Sequence, residues 1–212
     1  MLQDWYPALG NHDYAGNVQA EIDYSQVSRR WRMPANYYTL IKEGKDCSIR
    51  LVILDTQLIV RGIKDSDPQF SSQNAKRQLT WVDSVLSVSK EDWVVVVGHH
   101  PVYSAHPTRH NTEELVEHLN PLLKKFKVDF YISGHDHIFQ HMKEAENEVD
   151  YIVDTAASEV RPATSNEMTV FAGSSPGFLI CSATKKSFGI YFVGIKGEVI
   201  YSYERKNDSL GE

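Results

Sequence analysis

Three short segments of this 212-residue chain place a glycine directly before side chains that hold metals or move protons: Gly10-Asn11-His12-Asp13, Gly98-His99-His100-Pro101 and Gly134-His135-Asp136-His137. Imidazoles and an asparagine carbonyl suit divalent transition metals, and a glycine ahead of each group lets the backbone turn sharply and approach an ion. His135 and His137 are two residues apart, so on extended backbone both face one side, and in a turn they can straddle two ions. Asp136 between them then points away, as a carboxylate orienting an imidazole. A single Gly-His pair is an ordinary turn with a surface or core histidine. Three such segments in one chain favour a metal site.

The elements that must carry these groups are legible in the apolar pattern. The runs Val94-Val95-Val96-Val97 and Val128-Asp129-Phe130-Tyr131-Ile132 read as strands that deliver the second and third segments, so the ligands sit where strands end, the usual site position in open α/β sheets. Residues 17–29 read as a first helix, and 37–41 and 49–54 as strands around a turn at Gly44-Lys45-Asp46. A polar loop is expected over 61–73, then a helix from Asn74 with Leu79, Val82 and Leu86 on one face. After a loop over 103–110, Thr112 reads as the N-cap of a helix whose Leu115, Leu119, Leu122 and Phe126 form a core stripe, with His118 on its flank. Residues 151–154, 178–181, 187–193 and 198–203 read as late strands, the last two joined by a hairpin turn at Lys196-Gly197.

Length and composition bound the answer. With 42% hydrophobic residues the chain can bury a core, and its length fits one α/β domain over residues 1–212. The net charge of −6, with no basic stripe, argues against a nucleic-acid partner, and no apolar run approaches the ~20 residues that span a membrane. Cys47 and Cys181 are far apart and read as a pair in an oxidising compartment or as two free, partly buried thiols.

The order Gly-Asn-His-Asp, Val-x-Gly-His-x-Pro, Gly-His-x-His resembles the calcineurin-like metallophosphoesterases, and among them the purple, tartrate-resistant acid phosphatases. The flanks are similar too: Trp5-Tyr6-Pro7-Ala8-Leu9, Gly16-Asn17-Val18-Gln19-Ala20, Tyr24-Ser25, Arg30-Trp31, Leu54-Asp55-Thr56 and Gln78-Leu79-Thr80-Trp81. The resemblance extends over most of the chain and is weakest after about Val160. It implies an α/β layered fold, a four-layer sandwich of two mixed β-sheets flanked by helices. The activity it implies is hydrolysis of a phosphomonoester by metal-activated hydroxide, with Fe, Zn or Mn as cofactor. Asn11, His99 and His135 would hold the second-metal position, and His137 would belong to the first. His12 would face the phosphate and stabilise the transition state or protonate the leaving alkoxide. A second substrate-facing histidine falls to His106 or to His110, between which spacing does not choose. The resemblance also implies a secreted, periplasmic or lysosomal setting.

One departure is larger than any match. The family's Asp-x-Gly and Gly-Asp-x-x-Tyr motifs precede its Gly-Asn-His, whereas only residues 1–9 do so here, and the dipeptide Gly-Asp occurs nowhere in the chain. Two cations ~4 Å apart without a bridging carboxylate would repel each other. The expectation is an N-terminally truncated member with at most one tightly bound ion and impaired turnover. A homodimer through the sheet edge left exposed is also expected. The alternative is a non-catalytic or mononuclear metal-binding remnant of the same fold.

Overall fold

Side-chain alternation along a set of central strands decides the layering. The computed structural model describes residues 3–64, 70–145, 147–156 and 159–207. Seven strands, β1 (Tyr38–Glu43), β2 (Ser48–Ile53), β3 (Trp93–Val97), β4 (Phe130–Ser133), β5 (Phe139–Lys143), β6 (Asp150–Val153) and β7 (Thr169–Gly173), form one sheet in the order β1-β2-β3-β4-β6-β5-β7. Pairing is parallel from β2 through β3 and β4 to β6, and antiparallel at both flanks. The remaining strands, β8 (Gly177–Ala183), β9 (Ser187–Gly194) and β10 (Val199–Lys206), make a second sheet that is antiparallel throughout.

Because successive strand residues face opposite ways, each central strand supplies two cores. Trp93, Val95, Phe130, Phe139 and Ile152 meet Phe188, Ile190 and Phe192 of β9 between the sheets. Ring contacts such as Phe130–Phe188 at 4.6 Å and Phe139–Phe192 at 4.5 Å knit that interface. Their neighbours Val96, Tyr131 and Tyr151 face the helical side, where Ile59 of α2 (Thr56–Lys64), Val82 and Leu86 of α3 (Ser72–Ser87), and Leu115, Leu119 and Leu123 pack. Each fully buried leucine or phenylalanine contributes roughly 2–3 kcal/mol through area removed from water. No helix among the described residues is long and apolar enough to cross a membrane.

Several boundaries differ from the sequence expectation. The first helix, α1, is only Val18–Tyr24, opened by the Asn17 side chain, which accepts the Ala20 N–H. Arg61 to Lys64, expected in a loop, continue α2, while residues 65–69 of that loop lie outside the described residues. The helical run after Thr112 is opened by the Thr112 carbonyl, which accepts the N–H of Leu115 and Val116. It passes through a π-helical turn, Leu115–Leu119, before α4 (Asn120–Lys125). That extra residue per turn carries the buried stripe from Leu115 and Leu119 to Leu123, leaving Leu122 and Phe126 only partly buried. The strands β5 and β7 escaped the sequence reading. Gln140 and His141 are both fully buried on β5, so its polar residues hide the apolar alternation on which strand recognition depends. Cys47 and Cys181 are both free thiols.

Two glycines before the histidines are required by close approach, and the third is not. A Cβ on Gly98 would stand 2.5 Å from Thr56 Cγ2 and 2.6 Å from the Tyr131 hydroxyl, and one on Gly10 would stand 2.9 Å from His99 Nδ1. A Cβ on Gly134 meets nothing within 4 Å. Gly98→Ala is therefore expected to destabilise the fold by about 1–3 kcal/mol, whereas Gly134→Ala stays within about 1 kcal/mol of wild type. Urea denaturation midpoints of the two variants check this, and equal midpoints would refute it.

Candidate metal and phosphate site

The chain brings Asn11, His99 and His135 to one point from three directions. Asn11 follows the segment 3–10, which is tied down along its length and passes into a turn at Asn11 and His12. Trp5 pairs with Trp31 through the Trp5 N–H to Arg30 (2.7 Å) and the Arg32 N–H to Trp5 (2.8 Å). The Tyr38 hydroxyl donates to the Pro7 carbonyl, and Leu9 is fully buried with Met33, Tyr38 and Ile53. The turn is then closed by the Gly10 N–H, which donates to the Asp13 carboxylate at 2.7 Å.

His99 follows β3 and His135 follows β4, the two being parallel neighbours whose ladder runs past their ends through Gly98 N–H to Ile132 and Gly134 N–H to His99. The His99 Nε2 lies 2.8 Å from Asn11 Oδ1 and 2.9 Å from His135 Nδ1. Ligands ~2.1 Å from one cation, at right or tetrahedral angles, stand about 3.0–3.4 Å apart, so these donor atoms are nearly at coordination spacing. A single ring proton cannot serve an oxygen and a second nitrogen equally well; a cation accepts all three lone pairs.

His100 joins the cluster. It groups with His99 and His135 as side chains whose ligand atoms lie within 4.8 Å of one another, and its ring centroid is 4.5 Å from that of His135. Its placement is over-determined: Nδ1 lies 2.8 Å from the Thr56 hydroxyl, which also accepts the His100 N–H, and the buried Tyr131 hydroxyl donates to the His100 carbonyl. His100 stands within the second segment, where local spacing alone gives it no role. Thr56, the fixing partner, is 44 residues away in the chain, a contact no local pattern reports.

Burial sets the protonation of these rings. It holds the pKa of His99 down at about 4, that of His100 at about 3 and that of His135 at about 2, with the neighbouring imidazoles pushing His100 and His135 further. All three are neutral at neutral pH and present lone pairs, as metal ligands must.

The third segment is a strained turn rather than a strand. His135 and His137 both adopt left-handed backbone, with φ of 67° and 59°, so the strain sits on the histidines and not on Gly134. Asp136, 1% exposed, orients no imidazole: it accepts the Ser104 hydroxyl and Arg109 Nη1 at 3.2 Å, and the same Nη1 donates to the His135 carbonyl at 2.7 Å. The carboxylate thus fixes Arg109, and Arg109 fixes the turn. His137 stands outside the three-histidine cluster, and its buried Nδ1 has no hydrogen-bond partner, an orphaned donor atom at the flank of the site.

The remaining candidates divide. His12 is exposed beside Asn11, close enough for its charge to disfavour protonation of His99. His106 does not join the cluster; its Nδ1 accepts the N–H of Thr108 and Arg109, both at 3.2 Å, which makes it a cap of the 103–110 loop. His110 is exposed and also outside the cluster.

This chain belongs to the calcineurin-like phosphoesterase family, whose model matches residues 1–139. Its similarity to tartrate-resistant acid phosphatase type 5 of Oryctolagus cuniculus is 34% identity over 93% of this chain, and to purple acid phosphatase 17 of Arabidopsis thaliana 27% over 96%. The chain spans 65% and 63% of those proteins. Among solved structures, GAP50, described as the anchor in the inner membrane complex of Plasmodium, superposes with a TM-score of 0.85 at 26% identity, covering 98% of this chain and 67% of that one. A purple acid phosphatase from yellow lupin shares the fold, with a TM-score of 0.68 at 18% identity over 97% of this chain and 39% of its own.

Proposed function

We propose that this chain hydrolyses phosphomonoesters with a divalent cation held by Asn11, His99 and His135, with His100 as the neighbouring donor. The observation that carries the reading is the convergence of Asn11 Oδ1, His99 Nε2 and His135 Nδ1 in a site whose histidines are neutral. A cation bound there supplies Lewis-acid polarisation and acidifies water. The protein's own groups do the rest. Thr56 and Arg109 hold His100 and the His135 turn in place, which avoids reorganisation during reaction. His12, exposed at the rim, gives its proton to the leaving alkoxide. His137 offers its unpartnered Nδ1 to a second cation position, and His106 acts by holding its loop rather than by touching substrate.

His12→Ala is expected to lower kcat for p-nitrophenyl phosphate about 100-fold, the usual scale of general acid catalysis, while the bound cation remains. Elemental analysis alongside turnover checks this. Turnover that survives full removal of the cation by a chelator would overturn the proposal.

A second reading is favoured by the close superposition on GAP50. In it the chain is a non-catalytic module whose site keeps one cation for structural reasons, and which serves as an attachment point. Cation binding with no turnover of any phosphomonoester is its signature.

A further inference from the structure

Arg109 is anchored through one nitrogen and open at the other two. Both protons of its Nη1 are engaged, one by the His135 carbonyl at 2.7 Å and one by the Asp136 carboxylate at 3.2 Å. Its Nε and Nη2 form no hydrogen bond or ion pair with any described residue, and the side chain is 29% exposed, partly open to a ligand. Asp136 is itself 1% exposed and accepts the Ser104 hydroxyl, so a fixed carboxylate holds the guanidinium from behind. The edge that remains, Nε with Nη2, presents two parallel N–H groups at the spacing of two oxygens of a phosphate.

Arg161 stands at the same turn. Its backbone N–H donates to the His137 carbonyl at 3.1 Å, while its side chain has no partner among the described residues. The charges of both arginines reach the His135 imidazole, and that of Arg109 reaches His99 and His100 as well, disfavouring the protonated ring in each case. Two cationic side chains therefore border the point on which Asn11, His99 and His135 converge. The carboxylates that oppose them are already engaged: Asp136 by Ser104 and Arg109, and Asp13, whose charge also reaches His99, by the Gly10 N–H.

We infer that Arg109, with Arg161 beside it, binds the non-bridging oxygens of the phosphoryl group at this site. The inference rests on the hydrolytic reading, because it takes that phosphoryl group to be the substrate's. In phosphoryl transfer the negative charge is spread over the equatorial oxygens, and a cation held by Asn11, His99 and His135 meets it from one side. The arginines supply positive charge from the side of the 134–137 turn, and Asp136 fixes Arg109 before substrate arrives, so little reorganisation is needed.

The test measures binding of inorganic phosphate by calorimetry to the zinc-loaded protein, Arg109→Met and Arg161→Met, with imidazole as a neutral zinc ligand for comparison and zinc content from elemental analysis. Phosphate is expected to bind about 30-fold more weakly to Arg109→Met, the scale of charge-assisted hydrogen bonds, and about fivefold more weakly to Arg161→Met, the scale of one exposed ion pair. Imidazole affinity and zinc content should stay at the wild-type level in both. No phosphate binding by the wild-type protein, unchanged phosphate affinity in either variant, or imidazole affinity that falls in step with it would overturn the inference. Should Arg109→Met lose its zinc, Arg161→Met decides, because the Arg161 side chain holds no described residue in place. A selective loss of phosphate there upholds the assignment, and unchanged affinity refutes it. Arginine-dependent phosphate binding without turnover of p-nitrophenyl phosphate would uphold the anion site and defeat the hydrolytic reading. Wild-type turnover with unchanged phosphate affinity in both variants would do the reverse.

Discussion

His99→Ala is expected to strip the cation from the protein and to lower phosphomonoester turnover by about 1000-fold or more. The ring it removes stands between the other two donors, 2.8 Å from Asn11 Oδ1 and 2.9 Å from His135 Nδ1, so no remaining pair of atoms encloses the same point. Each ~1.4 kcal/mol of lost transition-state stabilisation costs a factor of ten, and a cation that polarises the phosphoryl group and activates water supplies several kcal/mol, hence about three decades. His110→Ala, at an exposed position outside the cluster, should retain both the cation and turnover to within about threefold. Elemental analysis with kcat/KM for p-nitrophenyl phosphate decides the matter. A His99→Ala protein that turns over at the wild-type rate would show that the cluster is not the reaction centre.

Acidification should destabilise the cation-free protein markedly between pH 7 and pH 5. An unfolded imidazole titrates near 6.5, whereas burial holds His99 at about 4, His100 at about 3 and His135 at about 2 in the fold. Over this range the unfolded chain takes up protons that the folded chain refuses, so stability falls as the pH drops. Linkage gives about 2 kcal/mol for each such histidine over this interval. Partial solvent access reduces the sum. Asp154 works in the opposite direction, because burial raises its carboxyl to about 6 and its protonation on acidification favours the folded state by about 1 kcal/mol. A net loss of about 2–4 kcal/mol is expected. Urea denaturation of chelator-treated protein at the two pH values measures it, and a zinc-loaded sample should be more stable than the chelator-treated one at pH 7, where the cation adds its own binding energy. Equal or greater stability at pH 5 would contradict the burial of these rings in their neutral form.

What the sequence by itself determined here is the inventory and order of the site groups and the strands that carry two of them. The valine run before Gly98 and the aromatic, β-branched run before Gly134 are buried parallel strands, and such runs are recognisable because a doubly covered strand is apolar on both faces. The requirement for glycine at 10 and 98 followed from the same local logic and has a visible steric cause. At 134 that logic failed, since His135 and His137 themselves take the left-handed backbone, held by Arg109 from a loop 26 residues away.

The tertiary structure alone decided which histidines share a point. His100 enters the cluster because Thr56 and Tyr131 fix it from other strands and helices, while His137 stands aside and His106 is spent on capping its own loop. Each of these assignments depends on contacts between residues distant in sequence, and an imidazole's role is set by what its second nitrogen meets. The same reason hid β5, whose Gln140 and His141 are polar in composition and buried in fact. His141 finds the Asp150 carboxylate at 2.9 Å and the Tyr201 hydroxyl at 2.8 Å, partners that only the stacking of the two sheets supplies.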